Sequence, residues 1–224
     1  MTRLRIVFDL DDTLYPERSY ALSGFRASAA WAKRTHGLSD LDRELEHFLD
    51  QGHLGQSFRL ALEQRLPGYT AGDLEAIVAA YRTHEPDIAL FEDARWALDH
   101  YEAQGPLGLL TDGNVESQSR KVKALALEPR FREIVYTGAL GREFRKPHPR
   151  PFEVMAASLA EPGTTLVYVG DNPARDFVSP NRMGWLTVQV VRAGGIHDGA
   201  ARIAGGDPQF TVASLRELPE ALGR

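Results

Sequence analysis

The stretch at residues 6–15, IVFDLDDTLY, decides how the rest of the chain is read. Three apolar residues, Ile6, Val7 and Phe8, run unbroken into Asp9, the pattern of a strand covered on both faces in a parallel sheet. Asp9, Asp11 and Asp12 therefore gather where that strand should end. In open α/β sheets, ligands bind in the crevice beyond the carboxyl ends of the strands. Three acids in four positions repel one another and contribute nothing to a core. Fed by an apolar strand, they read better as a cation site than as a solvated turn.

The pattern downstream supports such a sheet. Strands are expected at 107–110, 133–137, 165–169 and 186–191, alternating with helices at 115–124, 149–159 and 174–183, and this βα alternation predicts a doubly wound parallel sheet of the α/β class. Between the first strand and a first core helix at 92–104, the sequence changes character. It reads as four amphipathic helices at 20–35, 40–50, 55–65 and 71–84, broken at Gly37, Gly52 and Pro67-Gly68, with Ser39 and Thr70 as N-caps for the second and fourth. The expected organisation is an α/β core at 1–16 and 86–224 with an inserted helical domain at 17–85. The tail at 212–222 reads as a final helix.

At 224 residues the chain is long enough for one such core and an insertion. Its 31 acidic and 26 basic residues give a net charge of −5, and no Lys/Arg-rich run opposes it, which argues against a nucleic-acid backbone as partner. Without cysteine there is neither a disulfide framework nor thiolate chemistry. No stretch approaches the ~18 consecutive apolar residues of a membrane span, and the N-terminus does not read as a secretory signal. The expected location is the cytoplasm, without membrane attachment; oligomeric state is not readable.

Three further segments end strands or open helices. Thr111-Asp112-Gly113-Asn114 follows the strand at 107–110; a hydroxyl there, with the backbone N–H groups of a turn and a helix start, suits an anion such as phosphate, although Asp-Gly-Asn is also an ordinary capped turn. Arg145-Lys146-Pro147-His148-Pro149 sets an ammonium between rigid prolines ahead of a helix. Gly170-Asp171-Asn172 closes another apolar strand, with Asp176 five positions beyond Asp171, inside the expected helix.

Taken in order, these segments resemble the four motifs of the haloacid dehalogenase superfamily: Asp-x-Asp-x-Thr at Asp9, Asp11 and Thr13, the Thr after an apolar strand at Thr111, the Lys-Pro at Lys146, and Gly-Asp-x-x-x-x-Asp at Gly170, Asp171 and Asp176. The resemblance implies a phosphomonoester hydrolase in which Asp9 is the nucleophile, forming an aspartyl-phosphate, and Asp11 is the general acid and base, its pKa raised by like-charge crowding. It further implies Mg²⁺ held by Asp9, the Asp11 carbonyl and Asp171 with Asp176 at hand, with Asp12 and Asn172 just outside. Thr111, Asp112, Gly113, Asn114 and Lys146 would hold the phosphoryl group of a small phosphate ester.

The helical insertion corresponds to the family's cap, where substrate choice is expected; Arg18, Tyr20, Arg26, His53, Arg59 and His84 are candidate contacts. Alternatives are a phosphosugar mutase, a 2-haloacid dehalogenase, which would lack Asp11 and the acid at Asp171, and a non-catalytic module, which should have lost Asp9, Asp11 or Lys146. The run LLTDGNVESQ and the helical insertion resemble the phosphatase branch that includes nucleotidases and N-acylneuraminate-9-phosphate phosphatases.

Overall fold

The computed structural model describes residues 3–53, 55–196 and 201–223. In chain order it contains β1 (Arg3–Phe8), α1 (Glu17–His36), α2 (Leu41–Asp50), α3 (Ser57–Arg65), α4 (Ala71–Thr83), α5 (Glu92–Glu102), β2 (Gly108–Thr111), α6 (Val115–Ala124), β3 (Glu133–Tyr136), α7 (Thr137–Leu140), α8 (Arg150–Leu159), β4 (Thr164–Gly170), α9 (Val178–Arg182), β5 (Leu186–Val190), β6 (Phe210–Val212) and α10 (Leu218–Ala221). These form two compact units, residues 1–17 with 89–224 and residues 18–88.

The first unit is a six-stranded sheet in the order β3-β2-β1-β4-β5-β6, every pair parallel. This is the doubly wound α/β architecture. The strand order reverses at β1, whose neighbours β2 and β4 run to opposite edges, and that reversal opens a crevice beyond its carboxyl end. The four residues Ile6 to Asp9 are all buried, as the apolar run requires. Register brings the strand ends together: Phe8 lies opposite both Leu109 and Val169, and the Asp9 N–H donates to the Val169 carbonyl at 2.8 Å. Below the crevice, Val7, Leu110, Phe152, Met155, Tyr168, Phe177 and Trp185 form one core cluster, with Phe152 packed edge-on against both Tyr168 and Trp185.

Three sequence expectations are corrected here. The tail at 212–222 is not one helix: Phe210–Val212 extends the sheet beside β5, and only short turns of helix follow. The apolar and β-branched Phe-Thr-Val suits a strand, and three residues were too few to show alternation. The helix expected at 174–183 is confined to Val178–Arg182, so Asp176 stands in the turn before it. There the Asn172 side chain accepts from the Ala174 N–H at 3.0 Å, a local bond that competes with helix. Ser39 does not cap α2; the N-cap residue is Asp40, in the left-handed conformation and without a side-chain cap bond.

The second unit holds α2, α3, α4 and nearly all of α1. Phe25, Phe58 and Tyr81 pack against one another with centroids 5.2–5.9 Å apart, and Ser28 donates to the Ile77 carbonyl at 3.3 Å. Thr70 does cap α4: its hydroxyl accepts from the Asp73 N–H while the Asp73 carboxylate accepts from the Thr70 N–H, a reciprocal capping box. No helix among the described residues is long and apolar enough to cross a membrane.

Candidate active site

β1 delivers Asp9 to the crevice, and the loop before α8 delivers Lys146 to it. The Lys146 ammonium donates to Asp9 at 2.6 Å, to Asp176 at 2.7 Å and to the Tyr168 hydroxyl at 3.0 Å, and all four side chains are buried. One carboxylate oxygen each from Asp9, Asp171 and Asp176 lies within 4.8 Å of the others. Burial, reinforced by Asp176 and Asp11 against the pull of Lys146, pushes Asp9 up to about 7. Burial, then Asp176 and Asp9, pushes Asp171 up to about 10. Lys146 is itself held well above its ordinary value: burial opposes the charge, but Asp176 and Asp9 outweigh it.

Three acids converging on one point with one ammonium among them are short of positive charge. A hard, oxygen-only donor set of this kind fits Mg²⁺, which accepts a few carboxylates while retaining water. Gly170 is part of this arrangement, because a side chain there would collide with the Asp176 carboxylate. The Asp176 carboxylate in turn accepts from the Asn172 N–H at 2.9 Å, which fixes its orientation.

The carboxylate of Asp11 lies apart from the three-acid cluster. One oxygen accepts from the Tyr15 hydroxyl and from the Lys121 ammonium at 2.6 Å, and the other from the Gln118 carboxamide at 2.7 Å. The raised pKa expected for Asp11 is therefore overturned. Burial pushes it up, but Lys121 above all, with Tyr15 and Gln118, brings it below its ordinary value. Like charges do crowd this loop; a cation from α6, more than a hundred positions away, reverses their effect.

The second segment also differs in detail from expectation. Thr111 is fully buried at the end of β2, and its hydroxyl accepts from Gln118, which leaves its own O–H to donate. The Asp112 carboxylate accepts from the Thr137 hydroxyl and from the Lys146 N–H at 3.2 Å, linking the end of β2 to the lysine loop. Asn114 caps α6, accepting from the Ser117 N–H at 3.1 Å. The open pocket is formed by Asp9, Asp11, Glu17, Asp112, Lys146, Asp171, Asn172, Arg175 and Asp176; Thr111, Gly113 and Asn114 are not among its lining residues. Asp12, with a left-handed φ of 49°, accepts from the N–H groups of Glu17 and Ile196, which makes it a loop anchor.

In the helical unit the candidate contacts do not converge. Arg18 pairs with Asp50 and Glu46, Arg26 with Asp87, and Arg59 with Glu63 one turn along. Tyr20 packs against His84 with centroids 5.0 Å apart, and His53 is exposed beside Phe48.

The sequence reading missed Gln118, Lys121, Tyr168 and Thr137. Gln118 and Lys121 carried a faint signal, lying three apart on one helix face. Tyr168 read as ordinary strand filling.

A sequence model of the haloacid dehalogenase-like hydrolases matches residues 5–184. Among curated proteins, the chain is 30% identical over 226 residues to a glyceraldehyde 3-phosphate phosphatase of Methanopyrus kandleri, covering 95% of this chain and 94% of that one. It is 28% identical to a ribulose-1,5-bisphosphate 5-phosphatase of Halopiger xanaduensis, covering 82% of each. Among solved structures it resembles the putative hydrolase YfnB of Bacillus subtilis, described as bound to magnesium, with a TM-score of 0.71, 19% identity and coverage of 99% and 100%.

Proposed function

The chain belongs to the haloacid dehalogenase-like hydrolases and is a phosphoric monoester hydrolase; from that premise we propose that it cleaves a small phosphorylated metabolite, a sugar phosphate, through a phosphoaspartate at Asp9. The observation that carries this reading is the buried Asp9 at the carboxyl end of β1, held by Lys146 and within 4.8 Å of two further carboxylates.

Asp9 is the nucleophile. Its oxygen attacks phosphorus, the bond to the leaving alkoxide breaks, and water later releases phosphate from the acyl-phosphate, so one hard displacement becomes two easier ones. Lys146, fixed by three oxygens, lies where it can neutralise phosphoryl charge, and the Thr111 O–H is assigned to the same group. Asp11 is assigned the proton transfers, one to the departing oxygen and one later from the attacking water; the Lys121 charge that holds its carboxyl below the ordinary range favours the second, in which Asp11 accepts. Asp9, Asp171 and Asp176 would hold Mg²⁺, which supplies charge neutralisation for the approach of anionic phosphate.

Both Asp11 and Asp171 serve phosphate chemistry and have no part in displacing halide from carbon. The relatives' names favour sugar phosphates over nucleotides. The helical unit at 18–88 occupies the place in the sequence where the family carries its cap, and we assign substrate choice to it.

The test is phosphate release with Mg²⁺ from p-nitrophenyl phosphate and from a panel of triose, pentose and hexose phosphates and nucleotides. Turnover by the wild type, a preference within the sugar phosphates and loss of turnover in Asp9→Asn are expected. Equal traces from wild type and Asp9→Asn would overturn the reading.

A further inference from the structure

Helix α6 buries an unusual face. Its inward residues are Ser117, Gln118, Lys121 and Val122, three polar and one apolar, where a core-facing helix ordinarily shows an apolar stripe. A lysine ammonium taken out of water is unfavourable unless strongly paired, and a methionine or leucine would fill the same space. Yet the Lys121 side chain is only 5% exposed, with its ammonium 2.6 Å from Asp11. Gln118, one turn earlier on the same face, donates both to the other Asp11 oxygen and to Thr111. The two oxygens of one carboxylate are thus fixed from one helix, by side chains whose own positions are set by burial.

Resting on the assignment of Asp11 to proton transfer, we propose that Lys121, assisted by Gln118, is a positioning residue for the reaction: it fixes the rotamer of the Asp11 carboxyl so that one oxygen faces the leaving group. Lys121 does not line the pocket and does not touch the substrate; Asp11 does line it. Proton transfer depends on geometry within hydrogen-bond reach, so an Asp11 free to rotate loses most where the departing oxygen is most basic. An aryl phosphate, whose leaving group departs as a stable phenolate, needs little protonation.

The experiment compares wild type, Asp9→Asn, Lys121→Met, Lys121→Arg, Gln118→Leu, Asp11→Asn and the double variant Asp11→Asn with Lys121→Met. Turnover of p-nitrophenyl phosphate and of an alkyl ester, glycerol 3-phosphate or glyceraldehyde 3-phosphate, is measured with Mg²⁺, alongside melting temperature. Lys121→Met is expected to lose about 100-fold in kcat on the alkyl ester, within the range of one proton-transferring group, and less than about 10-fold on the aryl ester. KM should change little, Lys121→Arg should recover part of the loss, and the double variant should be no slower than Asp11→Asn alone, as for residues acting as a unit. Equal losses on both esters, or a double variant whose losses multiply, would assign Lys121 to packing and overturn the proposal. If Lys121→Met does not fold, Lys121→Arg and Gln118→Leu decide on the same criterion: a loss selective for the alkyl ester supports the proposal and an unselective one overturns it. Release from neither ester by wild type overturns the reading of the site and this inference together; release abolished in Asp9→Asn but untouched by Lys121→Met overturns this inference alone.

Discussion

At the scale of single residues, Lys146 separates the electrostatics of the site from those of an ordinary surface. It lies between Asp9 and Asp176 at 2.6 and 2.7 Å, with side chains 4, 7 and 1% exposed. Removing one partner of a buried pair leaves uncompensated charge, so Lys146→Met should abolish turnover and destabilise the fold by about 3 kcal/mol, measured by denaturant titration. Near-normal activity would return it to the role of a structural cation. Asp9→Asn keeps the shape and removes the proposed nucleophile; turnover should vanish with the melting temperature within a few degrees of wild type, and residual activity would point to another nucleophile. Asp171→Asn should raise the Mg²⁺ concentration for half-maximal activity by about 10-fold or more, and an unchanged Mg²⁺ titration would count against its role as a ligand.

At the scale of elements, the first turn of α5 ties down the segment just after β5 and the tail. Asp93 receives the Arg192 guanidinium at 2.7 and 3.0 Å, the Ser214 hydroxyl at 2.9 Å and the Leu215 N–H at 2.8 Å. Arg192 also donates to the Thr13 carbonyl and stacks on the Phe91 ring, so this one carboxylate braces the acidic loop after β1, the end of β5 and the tail. Burial pushes the Asp93 carboxyl up, but the hydrogen bonds from Arg192 and Leu215 and the charge of Arg192 hold it below its ordinary value. A folded-state value below the unfolded one, about 3.9, means that the stabilisation is present above that pH and is lost as pH falls through the folded value. Asp93→Asn should therefore cost about 2 kcal/mol at pH 7, with the gap to wild type closing as pH drops below about 4. A gap independent of pH would assign the effect to packing. In the helical unit, Thr70→Ala should cost about 1 kcal/mol by opening the capping box, read from the thermal unfolding of that unit.

At the scale of the whole molecule, the division into residues 1–17 with 89–224 and residues 18–88 leaves every group proposed for the chemistry in the first unit. Replacing 18–88 by a short Gly/Ser linker should therefore leave a folded sheet that hydrolyses p-nitrophenyl phosphate slowly but no longer discriminates among sugar phosphates; retained discrimination would move specificity into the core unit. The sheet was legible from sequence because its central strands carry short apolar runs that end in a recognisable residue: Asp9, Thr111 and Asp171 mark the carboxyl ends of β1, β2 and β4. The four motifs could be read because each is local, a few residues at fixed spacing. Short elements escaped this reading, as β6 did, because three residues hold too little periodicity to outweigh a helical alternative. Charged residues on a helix read as a solvated face, and only the three-residue spacing from Gln118 sets Lys121 apart from Lys123. The amino-acid order alone gave the fold class, through its βα alternation, and the segments that carry Asp9, Lys146 and Asp171, since these follow from local patterns at strand ends. Which cation meets which acid was decided only by the packing of α6 and the loop at Lys146 against β1, because a charge's effect falls with distance in space, and distance in space is what the chain order leaves open.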